Sequence, residues 1–262
     1  MERGEDIDIT QKLIPISQGP GMHVSPPQRL SPSTENMPPK PTASIGPQFI
    51  EKRDIERAQL FQEQCRQVCL SVFFRENTPV RSLGFTSSIG GEGKSFLSLV
   101  AAKVLANDSF QPVVLVDCNW HHPSLHEAFR CPLRPGLAEW LRGECQELPI
   151  RHQVGRNLTF IPAGSGKQDV VKLLQRIREK GLLNLLAHRG ELLIVDLPAI
   201  MTTAYGSLAA SLVESLILVV QAGVTPEDLL AEAYKQVKDL PVRGVLLNQL
   251  ESRIPSWIRQ LL

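Results

Sequence analysis

No stretch of this sequence reaches the ~18 uninterrupted apolar residues that a membrane-crossing helix requires. Its N-terminus also lacks the charged-then-apolar pattern of a secretion signal. Neither sign of charge is in excess: 28 Lys and Arg stand against 27 Asp and Glu. No bulk attraction to nucleic acid or to an anionic membrane is therefore expected. The five cysteines (Cys65, Cys69, Cys118, Cys131, Cys145) are an odd, scattered set without a C-x-x-C pair, which reads as reduced thiols of a cytoplasmic protein. Cys65 and Cys69 share a helix face and read as small apolar packing. His122 and His126 have the spacing of helical metal ligands, with His121 beside them, but no Cys or acid completes a set. No internal repeat is visible. The expectation is a cytoplasmic protein that would meet a membrane only through a partner.

What is present divides in two. Residues 1–48 hold nine prolines among Ser, Gly, Gln and Thr, a composition that buries too little apolar surface to offset the entropy of ordering. We read 1–48 as a disordered tail, with a short apolar patch at 7–16, and 49–262 as one nucleotide-binding domain. Within it, 49–75 has apolar residues at near-helical spacing, broken by Asn77, Thr78 and Pro79. Apolar β-type runs follow at 80–86, 113–116, 158–162, 191–196, 216–221 and 242–247. Helical patterns lie between them at 169–187, 207–212 and 226–240, with a short one at 137–142. Continuous apolar strands alternating with helices predict an α/β fold: a mainly parallel sheet covered on both faces, with ligands at the carboxyl ends of its strands. Lys167 and Arg189 read as solvated, and Trp257, Ile258, Leu261 and Leu262 as a packed terminal turn.

The chain is organised around 84–123, GFTSSIGGEGKSFLSLVAAKVLANDSFQPVVLVDCNWHHP. A strand runs into a Gly-rich turn, a helix follows, and a second strand ends on Asp117. Gly90, Gly91 and Gly93 allow the backbone to bend with its N–H groups inward, and the head of the next helix completes an anion site. Lys94 adds a mobile cation for β- and γ-phosphates, and Ser95 a hydroxyl for Mg²⁺. The strict G-x-x-x-x-G-K-[ST] pattern fails, because Ser88 stands where its first glycine would be. Asp117, Asp196 and Asn248 end three different strands, so the predicted sheet carries all three to the same edge as the loop.

These residues resemble a known family. TSSIGGEGKS is similar to the T-S-x-x-P-G-E-G-K-S loop of the bacterial tyrosine kinases (BY-kinases) of capsule and exopolysaccharide synthesis, relatives of the MinD/ParA ATPases. VVLVDCNWHHPSLH resembles their apolar run followed by D-x-D-x-R-R-P-S-L-H. PGLAEWLRGE, LTFIPAGSG, LLIVDLPAI and GVLLNQ are similar, in order, to further motifs of that family, and the likeness covers roughly 58–250. The resemblance implies a three-layer P-loop NTPase using ATP and Mg²⁺. It implies that Gly90, Gly91, Glu92, Gly93, Lys94, Ser95 and Phe96 bind the nucleotide and that Asn248 contacts adenine. Ser95, Asp117 and Asp196 would hold the metal, and Asp117 would serve as base, with Lys94 also catalytic. It further implies a membrane co-polymerase or chain-length protein as partner and a homo-oligomer.

The departures from the family pattern are specific. Asn119 replaces the second aspartate, and Asn can neither accept a proton as a base nor bring charge to a metal. His121 and His122 replace two arginines. Ile89 stands where MinD/ParA proteins carry a signature lysine. Glu63-x-x-Arg66-x-x-Cys69 resembles the family's E-x-x-R-x-x-R oligomerisation motif without its last arginine. Only Tyr205 and Tyr234 are present, and no terminal tyrosine cluster exists to autophosphorylate. The expected function is an ATP- and Mg²⁺-binding protein of exopolysaccharide or capsule biosynthesis or export, with weak ATPase or kinase activity. A non-catalytic ATP-switched regulator and a MinD/ParA-type positioning ATPase are the alternatives.

Overall fold

The computed structural model describes residues 52–74, 80–187 and 190–248. The expected tail over 1–48 with its apolar patch, the ends of the first helical segment (49–51 and 75), Arg189 and the apolar end from Trp257 lie outside these residues.

In chain order the elements are α1 (Lys52–Phe73), β1 (Ser82–Ser87), α2 (Lys94–Asp108), β2 (Val113–Asp117), α3 (Leu125–Ala128), α4 (Leu137–Arg142), β3 (His152–Gly155), β4 (Leu158–Ile161), α5 (Val170–Lys180), α6 (Leu182–Leu186), β5 (Leu192–Asp196), α7 (Gly206–Ala210), β6 (Ser215–Gln221), α8 (Glu227–Val237) and β7 (Val242–Asn248). Among the described residues seven strands form one sheet in the order β3-β4-β2-β5-β1-β6-β7. All neighbours pair parallel except β3 with β4.

The apolar runs are continuous because both faces of the sheet are covered. In β2, Val113 and Leu115 pack with α1 and α2 on one face, while Val114 and Val116 pack with α5 and α6 on the other. This is the expected α/β class, a mainly parallel sheet between two helical layers with P-loop architecture.

Two features differ from the sequence expectation. β3 is an antiparallel edge strand that its four residues, HQVG, did not announce. It has no apolar run, alternates between half-buried and exposed, and is held by pairing with β4 and by Val154 packing on the core. The helix expected over 169–187 is two helices, because Gly181 adopts φ 77° and ends α5. A positive φ with ψ 130° suits glycine and lies outside helical geometry, so the helix stops there.

On α1, Arg66 is paired within the chain, to Glu63 and to Asp108 at 2.5 Å, and Cys69 is turned into the core. Burial pushes the Cys65 thiol up to about 11 and the Cys69 thiol to about 12; Cys118 is also raised well above the usual thiol range by burial. Thiolate is the reactive species. In the native protein a chromogenic disulfide reagent near neutral pH should therefore label Cys131 and Cys145 while Cys65, Cys69 and Cys118 stay silent until denaturant is added. Rapid modification of all five would contradict this packing. Among the described residues no helix is long and apolar enough to cross a membrane.

Candidate functional site

The site is built where β1 hands over to α2. β1 is fully buried, so its end is fixed. The chain then turns through Ser88–Gly93 with Gly91 and Gly93 at φ 88° and 90°, a region a Cβ disfavours. Gly93 also has no space for a side chain: a Cβ there would lie 2.1 Å from the Asn248 Nδ2. Gly93 caps α2 without a side-chain hydrogen bond. The first N–H groups of α2 thus receive no side-chain acceptor from the cap, the arrangement that favours an anion.

Behind the loop, Glu92 is 1% exposed. Its carboxylate accepts from the Ile89 N–H at 2.7 Å, the Gln221 N–H at 3.3 Å and the Thr225 hydroxyl. It braces the loop against the β6–α8 connection and leaves the backbone as what Glu92 can offer a phosphate. Asn248 belongs to the same brace, its Nδ2 donating to the Glu92 carbonyl at 2.9 Å.

In front of the loop, Lys94 Nζ lies 3.3 Å from Asp196 Oδ1 and 3.1 Å from Ser95 Oγ. Ser95 Oγ donates to Asp196 Oδ2 at 2.6 Å. Asp196 ends β5 and pairs in register with Asp117 at the end of β2. Both are fully buried. Asp117 Oδ1 accepts from the Asn119 N–H at 2.9 Å, whereas its Oδ2 has no partner. Burial, then the neighbouring Asp196 charge, raises Asp117 to about 8. Burial also raises Asp196, against the opposing pull of Lys94 and Ser95. Two carboxylates and one ammonium in a dry site favour retention of a proton. A hydroxyl and two carboxylates are hard oxygen donors of the kind that suits Mg²⁺, and the buried Oδ2 of Asp117 has no hydrogen-bond partner to compete for it.

Above them opens a cleft of ≈ 330 Å³. One wall is Gly90, Gly91 and Gly93 through Phe96; the second is Asn119, His121, His122 and Ser124; the third is Ala199, Thr202 and Thr203. Phe96 is at its mouth, 57% exposed and stacked on Phe61 with ring centroids 5.5 Å apart. Lys94, Ser95, Asp117 and Asp196 are thus brought together, whereas Glu92 and Asn248 brace the loop.

The third wall escaped the sequence reading. Its position comes from long-range backbone bonds, Ile200 N–H to Ser87 O at 2.8 Å and Met201 N–H to Ser88 O at 2.9 Å, which no local pattern marks. Nor did the sequence explain Trp120. It is 2% exposed, donates to the Ala163 carbonyl at 2.8 Å, and lies where a Cβ on Gly166 would be 2.4 Å from its ring. It therefore pins the segment carrying Asn119 and His121. Among the described residues no three His, Cys, Asp or Glu side chains converge as a metal cluster.

Comparison with known proteins shows what the chain is similar to. No family model matches the chain. It is 28% identical over 169 residues to EpsB of Ralstonia solanacearum, covering 63% of this chain and 22% of EpsB. It is 24% identical over 180 residues to the tyrosine-protein kinase CpsD of Streptococcus agalactiae, covering 67% of this chain and 78% of CpsD. To the succinoglycan biosynthesis transport protein ExoP of Rhizobium meliloti it is 25% identical over 177 residues, 65% of this chain and 22% of ExoP. The match therefore spans about a fifth of EpsB and ExoP and most of CpsD. Among solved structures, the kinase domain of the Escherichia coli tyrosine kinase ETK superposes with a TM-score of 0.67 at 24% identity, covering 73% of this chain and 76% of that one. The VpsO kinase domain gives 0.64 at 23%, covering 77% and 100%. A ParA family ATPase from Chlorobium tepidum gives 0.52 at 19%, covering 63% and 71%, a likeness of fold. The chain is thus homologous, at moderate identity, to the kinase domains of the bacterial tyrosine kinases, on a fold shared with ParA-type ATPases.

Proposed function

We propose that the cleft binds ATP with Mg²⁺ and that the chain works as a BY-kinase-like ATPase or phosphotransferase in exopolysaccharide or capsule biosynthesis. A membrane co-polymerase would be its partner. The observation that carries this reading is the Lys94–Asp196–Ser95 constellation at the head of α2, with Asp117 in register beside it.

Each side chain has a task that its position suits. The N–H groups of the turn and of the first turn of α2 take phosphate oxygens. Lys94 exchanges its contact with Asp196 for one with the phosphates, which leaves Asp196 and Ser95 oxygens for the metal. When bound, Mg²⁺ supplies charge neutralisation for the phosphates. Asp117, held by the Asn119 N–H, would accept the proton of the attacking hydroxyl or water in its ionised form, which a bound cation would favour over the protonated form it holds alone. Asn119 supplies no base. Its Nδ2 donates to the His122 carbonyl at 2.9 Å and shapes the wall.

Incubation of the purified chain with Mg²⁺ and γ-labelled ATP tests this, scoring free phosphate and protein-bound label against Lys94→Ala. Release or transfer of label that the variant abolishes is the expected result. Absence of nucleotide binding would refute the reading. A second reading, a nucleotide-gated scaffold without turnover, is favoured by the structural engagement of Asn119. It predicts tight binding with background turnover, and gain of activity when Asn119→Asp is combined with His121→Arg and His122→Arg.

A further inference from the structure

The walls of the cleft hold little permanent positive charge. Among the described residues Lys94 is the one Lys or Arg lining it, and Lys94 already faces Asp196 at 3.3 Å. Asp117 and Asp196 lie beyond it, so the site's fixed charge does not favour a polyphosphate. The other basic side chains lining the cleft are His121 and His122. Their rings meet edge-on, with centroids 4.7 Å apart and planes at 88°. His121 is half-buried and His122 exposed. Trp120 and the Asn119–His122 bond fix the segment that carries them.

We propose that His121 and His122 are the determinants of triphosphate over diphosphate binding in this cleft, and that they make this preference depend on pH. The inference rests on the nucleotide-site reading above. Imidazole is the side chain whose charge changes between about pH 5 and 8. Protonated, it has two N–H donors and a full charge for a phosphate oxygen; neutral, it has one donor and none. An anion seated beside protonated imidazoles stabilises their charge, so the terminal phosphate and the protons favour each other's binding. The other titratable groups on the elements around them are Lys94, Lys103 and Asp108 on α2, Asp117 on β2 with Cys118 next to it, His126 and Glu127 on α3, and Asp196 on β5. The carboxylates act in the opposite sense. They gain charge as pH rises and then favour the metal, so the histidine contribution must be isolated by substitution.

The experiment is calorimetric titration of the full chain with ATP and separately with ADP, both with Mg²⁺, at about pH 6 and about pH 8. The variants are H121Q/H122Q and H121R/H122R. Both positions are at the cleft surface, so neither change disturbs the core. In the native chain the preference for ATP over ADP should be about tenfold greater at the lower pH. The Gln pair should lose most of that difference, and the Arg pair should prefer ATP at both pH values. Titration of the γ-phosphate itself is common to all three proteins and cancels. ATP binding with a pH-independent preference, or a Gln pair that keeps the native pH dependence, overturns this proposal alone. Failure of the native chain to bind either nucleotide overturns the nucleotide-site reading and this proposal with it.

Discussion

Lys94→Ala should weaken binding of Mg²⁺–ATP by at least about 100-fold, or about 2.7 kcal/mol. Among the described residues Lys94 is the one permanent cation lining the cleft, and it is 7% exposed. In a dry site a charge-assisted contact to phosphate far exceeds its value in water. The substitution acts on the fold as well. It leaves Asp196 buried with only the Ser95 hydroxyl at 2.6 Å, and loss of one partner of a buried ion pair is destabilising. Asp196 answers by holding its proton to still higher pH, so part of the stability loss is recovered in acid. Two measurements separate the effects: calorimetric affinity for ATP, and thermal unfolding of the nucleotide-free protein. Lowered stability with unchanged affinity would make Lys94 a structural counter-ion and remove it from the phosphate site. Lost affinity in a variant that still unfolds cooperatively assigns it to the nucleotide.

The nucleotide-free chain should be more stable at pH 6 than at pH 8, by about 2 kcal/mol, on account of the aspartate pair. The sign follows from proton counting. Burial, then the charge of Asp196, raises Asp117 to about 8 from an ordinary value of 3.8. Between those values the native state holds a proton that the unfolded chain releases. Stability then falls as pH rises, contrary to the usual behaviour of a salt-bridged carboxylate. The loss runs at a nearly constant rate of about 1.4 kcal/mol per pH unit between those two values. Denaturant midpoints across pH 6 to 8 measure it. Asp117→Asn, which keeps the acceptor for the Asn119 N–H and removes the charge, should flatten the slope. A native chain that gains stability over this range, or an Asn variant that keeps the slope, would show that the pair does not share a proton. The same dryness that makes the paired carboxylates costly at high pH suits them to a divalent cation.

Much of the site could be read along the chain because its features are local. The positive φ values of Gly91 and Gly93 are what a Gly-Gly-Glu-Gly turn between an apolar strand and a helix requires. Lys94 and Ser95 then fall on the first turn of α2 by connectivity. Asp117 and Asp196 were placed by the parallel-sheet rule, since the end of every apolar run in such a sheet faces one edge. Their register pairing is that rule in coordinates. The β3 edge was illegible because HQVG carries neither an apolar run nor β-branched enrichment, and long-range pairing with β4 and the packing of the single Val154 hold it in place. The break at Gly181 was illegible because apolar residues continue on both sides of it.

The sequence by itself determined the α/β class, the loop and its chemistry, and which strand ends carry acids. Backbone sterics, apolar runs and connectivity act between neighbours and are written in order. Tertiary structure decided which way the side chains face. Glu92 turned inward to Thr225, 133 residues away, and Asn248 to the Glu92 carbonyl, 156 residues away. Thr202 and Thr203 became a wall, and His121 and His122 a pair on the rim. A buried carboxylate takes whichever donors the folded chain brings near it, and no local rule says which those will be.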